Sequence, residues 1–142
     1  MNPTIEKFGF PVSLLKELRH WLVLVRPAQV TLGSLVLAAK SEATAYSQLD
    51  PEAFAEQADA VSYIEQTVSG FVQCERINYL MLMMVDRQVH FHVIPRYSSP
   101  RTWKGIEFAD DGWPGPPRLD GAVKLEHLQL SELVAALRDV PR

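Results

Sequence analysis

Apolar residues are spaced in different ways along this chain, and each spacing predicts a different element. Trp21–Val25 is an unbroken apolar run closed by Arg26-Pro27, and Ser34–Ala39 is a second run, reached through a linker that contains Gly33. Both read as strands, the first stopped by a proline that offers no N–H to a ladder. Upstream, Ile5, Phe8 and Phe10 form a short apolar opening, and Leu14–Leu18 reads as a helical turn. From Pro51 the period changes. Phe54, Ala58, Val61, Ile64, Val68, Phe71 and Val72 recur at helical spacing, with Glu56, Gln57, Asp59, Glu65 and Gln66 on the other side. Asp50 as N-cap, Pro51 at the first helical position and Glu52 at the positive end of the dipole give this helix a defined start. The pattern carries it to about Cys74, with its apolar stripe on a sheet.

Ile77–Val85 and Gln88–Pro95 read as two further strands joined by a tight turn at Asp86-Arg87. Between Ser98 and Gly121, prolines and glycines argue for irregular chain, yet Trp103, Ile106, Phe108 and Trp113 are too apolar for a disordered tail. An ordered arm is expected, laid over the core or over a partner subunit. Ser131 is placed to cap a final short helix carrying Leu133, Val134 and Leu137. The succession predicts an α+β fold, an antiparallel sheet with one long helix packed on it, plus an irregular C-terminal arm and short helix. Residues 1–97 would form the core, with 98–142 belonging to the same domain.

Bulk properties narrow the setting. A chain of 142 residues can bury a real core, and a net charge of −3 gives no reason to expect non-specific nucleic-acid binding. The lone Cys74 excludes an internal disulfide and fits a reducing compartment. Met1–Pro11, with Glu6 beside Lys7, does not read as a signal peptide, and every apolar run falls far short of the ~20 residues of a membrane span. The expectation is a soluble, cytoplasmic protein with no nucleic-acid or membrane partner.

The chemistry concentrates in Gln88-Val89-His90-Phe91-His92-Val93-Ile94-Pro95-Arg96, which holds two of the four histidines. Alternate residues of a strand share a face, so Gln88, His90 and His92 point one way and Val89, Phe91 and Val93 the other. Next-but-one Cβ atoms lie roughly 6–7 Å apart, close enough for both imidazoles to touch one phosphate-sized group.

This stretch resembles the motif of the histidine-triad nucleotide hydrolases and transferases, in which histidines alternate with apolar residues and Pro-Arg often follows. The resemblance extends over roughly residues 20–97, through the Gly33 linker and the Leu49-Asp50-Pro51-Glu52 helix start. It implies that His90 attacks the α-phosphorus of a nucleotide to give a nucleotidyl-imidazole, later resolved by water or another acceptor. It implies that His92 stabilises the phosphoryl charge. Gln88 stands where the family has its first histidine. The family holds the nucleophile's other ring nitrogen largely with the main-chain carbonyl of that position, which Gln88 would also supply. A glycine- and serine-containing phosphate loop precedes the motif in many members; here only Val85-Asp86-Arg87 is expected to separate strand from motif. Arg87, Arg96, Arg101 and Lys104 are the candidate substitutes for phosphate contacts. Arg26, Gln29 and Thr31 are candidates for ribose or base, and Trp103 for closing over a base. The family also implies a symmetric homodimer. No cofactor is required by this chemistry, although magnesium can accompany a polyphosphate substrate.

Plainer readings stand beside these. A His-x-His pair is also a two-ligand metal unit, needing a third partner such as His127, Asp86 or Asp110. Met81, Met83 and Met84 fit core or interface, Arg96 a strand cap, the aromatic residues of the arm a packed seam, and Asp110-Asp111 a solvated turn. His20 and His127 read as incidental. The functional rival is a nucleotide-binding or interaction module that kept the scaffold without efficient turnover.

Overall fold

The computed structural model describes all residues, 1–142. Its centre is a five-stranded antiparallel sheet of β1 (Leu14–Glu17), β2 (Trp21–Val25), β4 (Leu35–Ala39), β5 (Arg76–Leu80) and β6 (His90–Arg96), in the order β1-β2-β4-β6-β5. A short helix α1 (Pro3–Lys7) precedes the sheet, a two-residue strand β3 (Ala28–Gln29) lies in the linker, and α2 (Pro51–Val72) crosses between β4 and β5. The arm holds a hairpin of β7 (Arg101–Trp103) and β8 (Ile106–Phe108), then β9 (Val123–Lys124), before α3 (His127–Arg138). The fold is α+β, as expected. No helix is long and apolar enough to cross a membrane.

Both faces of the sheet are covered. Trp21, Val23, Val25, Leu35, Leu37, Val89 and Val93 point to the helical side, where Ile64, Val68, Leu133 and Leu137 complete the core. On the other side Leu22, Leu24, Val36 and Ala38 meet Ile5 and Phe8 from the N-terminal segment. This two-sided burial explains why β2 and β4 read as unbroken apolar runs rather than as alternation.

Several expectations change. Leu14–Leu18 is not a helical turn: Leu14–Glu17 pairs with β2, and Leu14 and Leu15 turn to opposite faces, as strand neighbours must. The buried stripe of α2 is Ala53, Ala60, Ile64, Thr67, Val68 and Val72, which leaves Phe54 and Ala58 outside. Small alanines let this helix approach the sheet, and the Trp21 Nε1–H donates to the Ala53 carbonyl at 2.7 Å. Asp50 occupies the N-cap of α2 but makes no side-chain cap bond. Strand β5 stops at Leu80 and β6 starts at His90, so Met81–Val89 is a loop rather than a tight turn. Its backbone is claimed elsewhere: Ala39 N–H donates to the Val89 carbonyl at 3.0 Å, and Val89 N–H to the Ala43 carbonyl at 3.2 Å. The arm is more regular than expected, because Lys104 and Gly105 both take positive φ and close a two-residue hairpin. The last helix starts at His127, a turn ahead of Ser131, where the Glu126 N–H donates to the Gln129 side chain at 2.9 Å.

The arm is tied to the sheet by one buried ion pair. Arg96 Nε donates to Asp110 Oδ2 at 2.6 Å, both side chains are at most 5% exposed, and the other guanidinium nitrogens reach Asn78 and the Gly115 carbonyl at 2.7 Å each. Removing one partner of such a pair leaves an uncompensated buried charge. Asp110→Ala is therefore expected to lower stability by about 3–5 kcal/mol in urea denaturation, against about 0.5 kcal/mol or less for the exposed neighbour in Asp111→Ala.

Candidate active site

His90 and His92 lie on the face of β6 opposite α2. In the register, His90 stands across from Ala38, and His92 has Val36 on one side and Leu80 on the other. None of Asn78, Met81 or Met83 is the strand neighbour of either histidine. The two imidazole centroids are 5.1 Å apart and nearly perpendicular, at 86°. Phe8 packs on both, with its ring centroid 5.8 Å from that of His90 and 5.5 Å from that of His92.

Hydrogen bonding gives the two rings complementary roles. His90 Nδ1 lies 2.7 Å from the Gln88 carbonyl oxygen. A carbonyl only accepts, so Nδ1 carries the proton and the neutral ring keeps a lone pair on Nε2. Arg26 Nε donates to His92 Nδ1 at 3.4 Å, so the neutral His92 ring carries its proton on Nε2. One ring thus offers a nucleophilic nitrogen and its neighbour an N–H donor. Burial, reinforced by the charge of Arg26, brings the His92 pKa down to about 4, which keeps that ring neutral at ordinary pH. Burial also lowers the pKa of Arg26, opposed by the carboxylate of Asp86.

Residue 88 is itself held from a distance. The Thr4 hydroxyl donates to Gln88 Oε1 at 2.7 Å and accepts the Gln88 N–H at 3.3 Å. The N-terminal segment therefore holds residue 88 by its N–H and its side chain, which turns away to Thr4. Beside His92 opens a cleft of about 400 Å³, with Lys7, Arg26 and Asp86 as its charged lining and Leu82, Met84 and Val85 as an exposed apolar rim. Lys7 and Asp86 pair across it at 2.8 Å.

Of the positions singled out from sequence, Gln88, His90, His92 and Arg26 come together. Arg87 is exposed on an adjoining hollow with Thr4, Lys7 and Gln88. The others are committed elsewhere. Arg96 is buried against Asp110 at the far end of β6, beside a cleft of about 590 Å³. Arg101 donates to the Val72 and Gln73 carbonyls and so caps α2, while its guanidinium stacks 4.5 Å from the Tyr97 ring. Lys104 sits in a hairpin turn, paired with Glu132. Gln29 and Thr31 are fully buried and bond the backbone of the Arg26–Ser34 turn and of Pro95. Trp103 packs against the helical core. Thr4, Lys7 and Phe8 were missed because they lie some eighty residues from the motif, and nothing in local spacing marks them. No three His, Cys, Asp or Glu side chains converge to hold a metal ion.

Solved structures share this fold along nearly the whole chain. A histidine-triad protein of Sinorhizobium meliloti superposes with a TM-score of 0.73 at 18% identity, covering 99% of this chain and 96% of that one. The chain has the histidine-triad fold. A histidine-triad protein of Bradyrhizobium japonicum gives 0.69 at 17% identity, covering 99% and 96%. A hypothetical histidine-triad nucleotide-binding protein of Sulfolobus tokodaii gives 0.67 at 19% identity, covering 96% and 88%. No family model and no curated protein matches the sequence. Within the histidine-triad fold, the two histidines of this chain occupy a central strand, and their protonation follows from the contacts above.

That protonation has a consequence for stability. Unfolded, His92 titrates near 6.5, and folded it titrates near 4. Below pH 6.5 the unfolded chain takes up a proton that the folded one does not, so stability falls as pH drops from 6.5 towards 4. The loss is expected to reach about 2–3 kcal/mol. Denaturant titrations across this window check it, and His92→Asn should flatten that part of the slope.

Proposed function

We propose that this protein cleaves a nucleotide conjugate at its α-phosphate through a nucleotidyl-His90 intermediate. The observation that carries the reading is the opposed tautomers of a touching pair. His90 keeps its Nε2 lone pair because Nδ1 is bonded to the Gln88 carbonyl, while His92 keeps an Nε2–H. In the first step the His90 Nε2 lone pair forms an N–P bond as the bond from phosphorus to the leaving group breaks. The leaving group departs with that electron pair and takes a proton from solvent. His92 and Arg26 stabilise the charge on the phosphoryl oxygens. In the second step water attacks phosphorus and gives a proton to solvent as the N–P bond breaks, and the nucleoside monophosphate leaves with the His90 Nε2 lone pair restored. The Gln88 side chain has no part in this scheme; its carbonyl does. Magnesium can accompany a polyphosphate substrate.

The same reading carries a symmetric homodimer, and the open edge of β5 in the sheet order supports it. A second reading, a module that binds nucleotide without efficient turnover, draws on one observation: His90 Nε2 is buried and has no partner.

Chromatography of products from a panel of dinucleoside polyphosphates, a nucleoside phosphoramidate and a nucleotide sugar separates the two. Turnover by the wild type that falls roughly a thousandfold or more in His90→Ala supports the covalent mechanism. Ligand-dependent thermal stabilisation without product in either protein supports the binding module. Equal turnover by both removes His90 as nucleophile.

A further inference from the structure

His90 is 0% exposed, and its Nε2, the atom the chemistry requires, is buried with no hydrogen-bond partner. A buried polar atom without a partner is costly, and where it is also a ring nitrogen in a histidine pair it marks a place that something else is meant to occupy. The cover over this face is the N-terminal segment. Ile5 and Phe8 are buried against Leu22, Leu24, Val36 and Ala38, and the Phe8 ring lies on both imidazoles.

The segment is attached to the rest of the chain by polar side-chain contacts at three positions. The Asn2 amide donates to the Ala39 and Ser41 carbonyls at 2.9 Å each, and its oxygen accepts the Ile5 N–H at 3.0 Å. Thr4 holds Gln88, and Lys7 pairs with Asp86. Just beyond Phe8, Gly9 takes a positive φ of 92°, a conformation that a side-chain-bearing residue rarely adopts. The chain therefore has a cover, side-chain latches and a conformationally permissive glycine at its base.

We propose that residues 2–8 form a lid over the histidine pair, latched by Lys7–Asp86 and Thr4–Gln88, and that a phosphate ligand reaches His90 Nε2 only when this lid lifts about Gly9. The gating role rests on the nucleotide reading of the site; the cover itself does not. Two features follow. Opening exposes Ile5 and Phe8, so the closed form is the resting state. Opening also parts Lys7 from Asp86, so Lys7 leaves with the lid and the Asp86 carboxylate stays behind in the cleft with Arg26 and His92.

The test uses the full chain and reads His90 directly. Diethyl pyrocarbonate acylates accessible imidazole nitrogens, and peptide mass spectrometry reports the rate at each histidine. The exposed His127 serves as the internal reference in every variant. In the wild type, His90 should react far more slowly than His127. In Lys7→Ala, which alters a half-exposed side chain and should fold normally, the His90 rate should rise by up to about fivefold with His127 unchanged. In Lys7→Cys/Asp86→Cys, made with Cys74→Ser, bridging the two thiols with a short bis-methanethiosulfonate should slow His90 labelling below the wild type and abolish turnover, with both restored by reductant. Labelling of His90 as fast as His127 in the wild type overturns the lid, as does a cross-link that leaves His90 labelling unchanged. A cross-linked protein that turns over at the reduced rate overturns the gate. Labelling that responds as expected in a protein with no turnover keeps the lid and discards the nucleotide mechanism.

Discussion

Strand β6 has two buried faces of unlike chemistry, and the rest of the structure depends on both. Val89 and Val93 are fixed in the core beneath α2, which leaves no freedom to slide the strand by one residue. A slip would drive both imidazoles into the hydrocarbon and carry the valines into the site. Packing on one face therefore sets the position of the histidines on the other more firmly than any contact the histidines make themselves. Ala38, opposite His90, is small enough to leave room for the ring.

Onto this frame the fold adds two opposed hydrogen bonds. The carbonyl of residue 88 accepts from His90, and the guanidinium of Arg26 donates to His92. A backbone carbonyl is indifferent to the side chain of its residue, so glutamine at position 88 presents His90 with the same acceptor that any other residue would. The side chain is not idle, because its amide oxygen receives the Thr4 hydroxyl and joins the N-terminal segment to the motif. The charge around His92 is mixed, with Arg26 and Lys7 near Asp86, so the cleft is not a simple cationic hole.

The fold class, the strands β2 and β4, the long helix and the histidine pair were legible because each depends on a short-range period. Alternation on β6 is a local rule, and the tautomer of His90 follows from a residue two positions away. What was not legible is long-range. Arg96, Arg101 and Lys104 looked available for phosphate because sequence gives charge and not partners; Asp110, the end of α2 and Glu132 take them instead. The loop of residues 81–89 looked like strand because Met81–Val85 is apolar, yet Leu82, Met84 and Val85 are exposed. Leu14–Leu18 looked helical because two adjacent leucines do not reveal that they serve opposite sides of a sheet.

The Arg96–Asp110 pair also bears on where this molecule can be cut. The recognisable motif ends at Arg96, and a fragment ending there would keep every residue of the histidine strand. It would also strip the Asp110 carboxylate and the Gly115 carbonyl from a guanidinium that is 5% exposed in the whole chain. The same cut would take away Phe108, Leu133 and Leu137, which fill the core beneath the sheet. The core beneath the histidine strand is accordingly built from more of the chain than the motif that can be recognised, and the arm and last helix supply part of it.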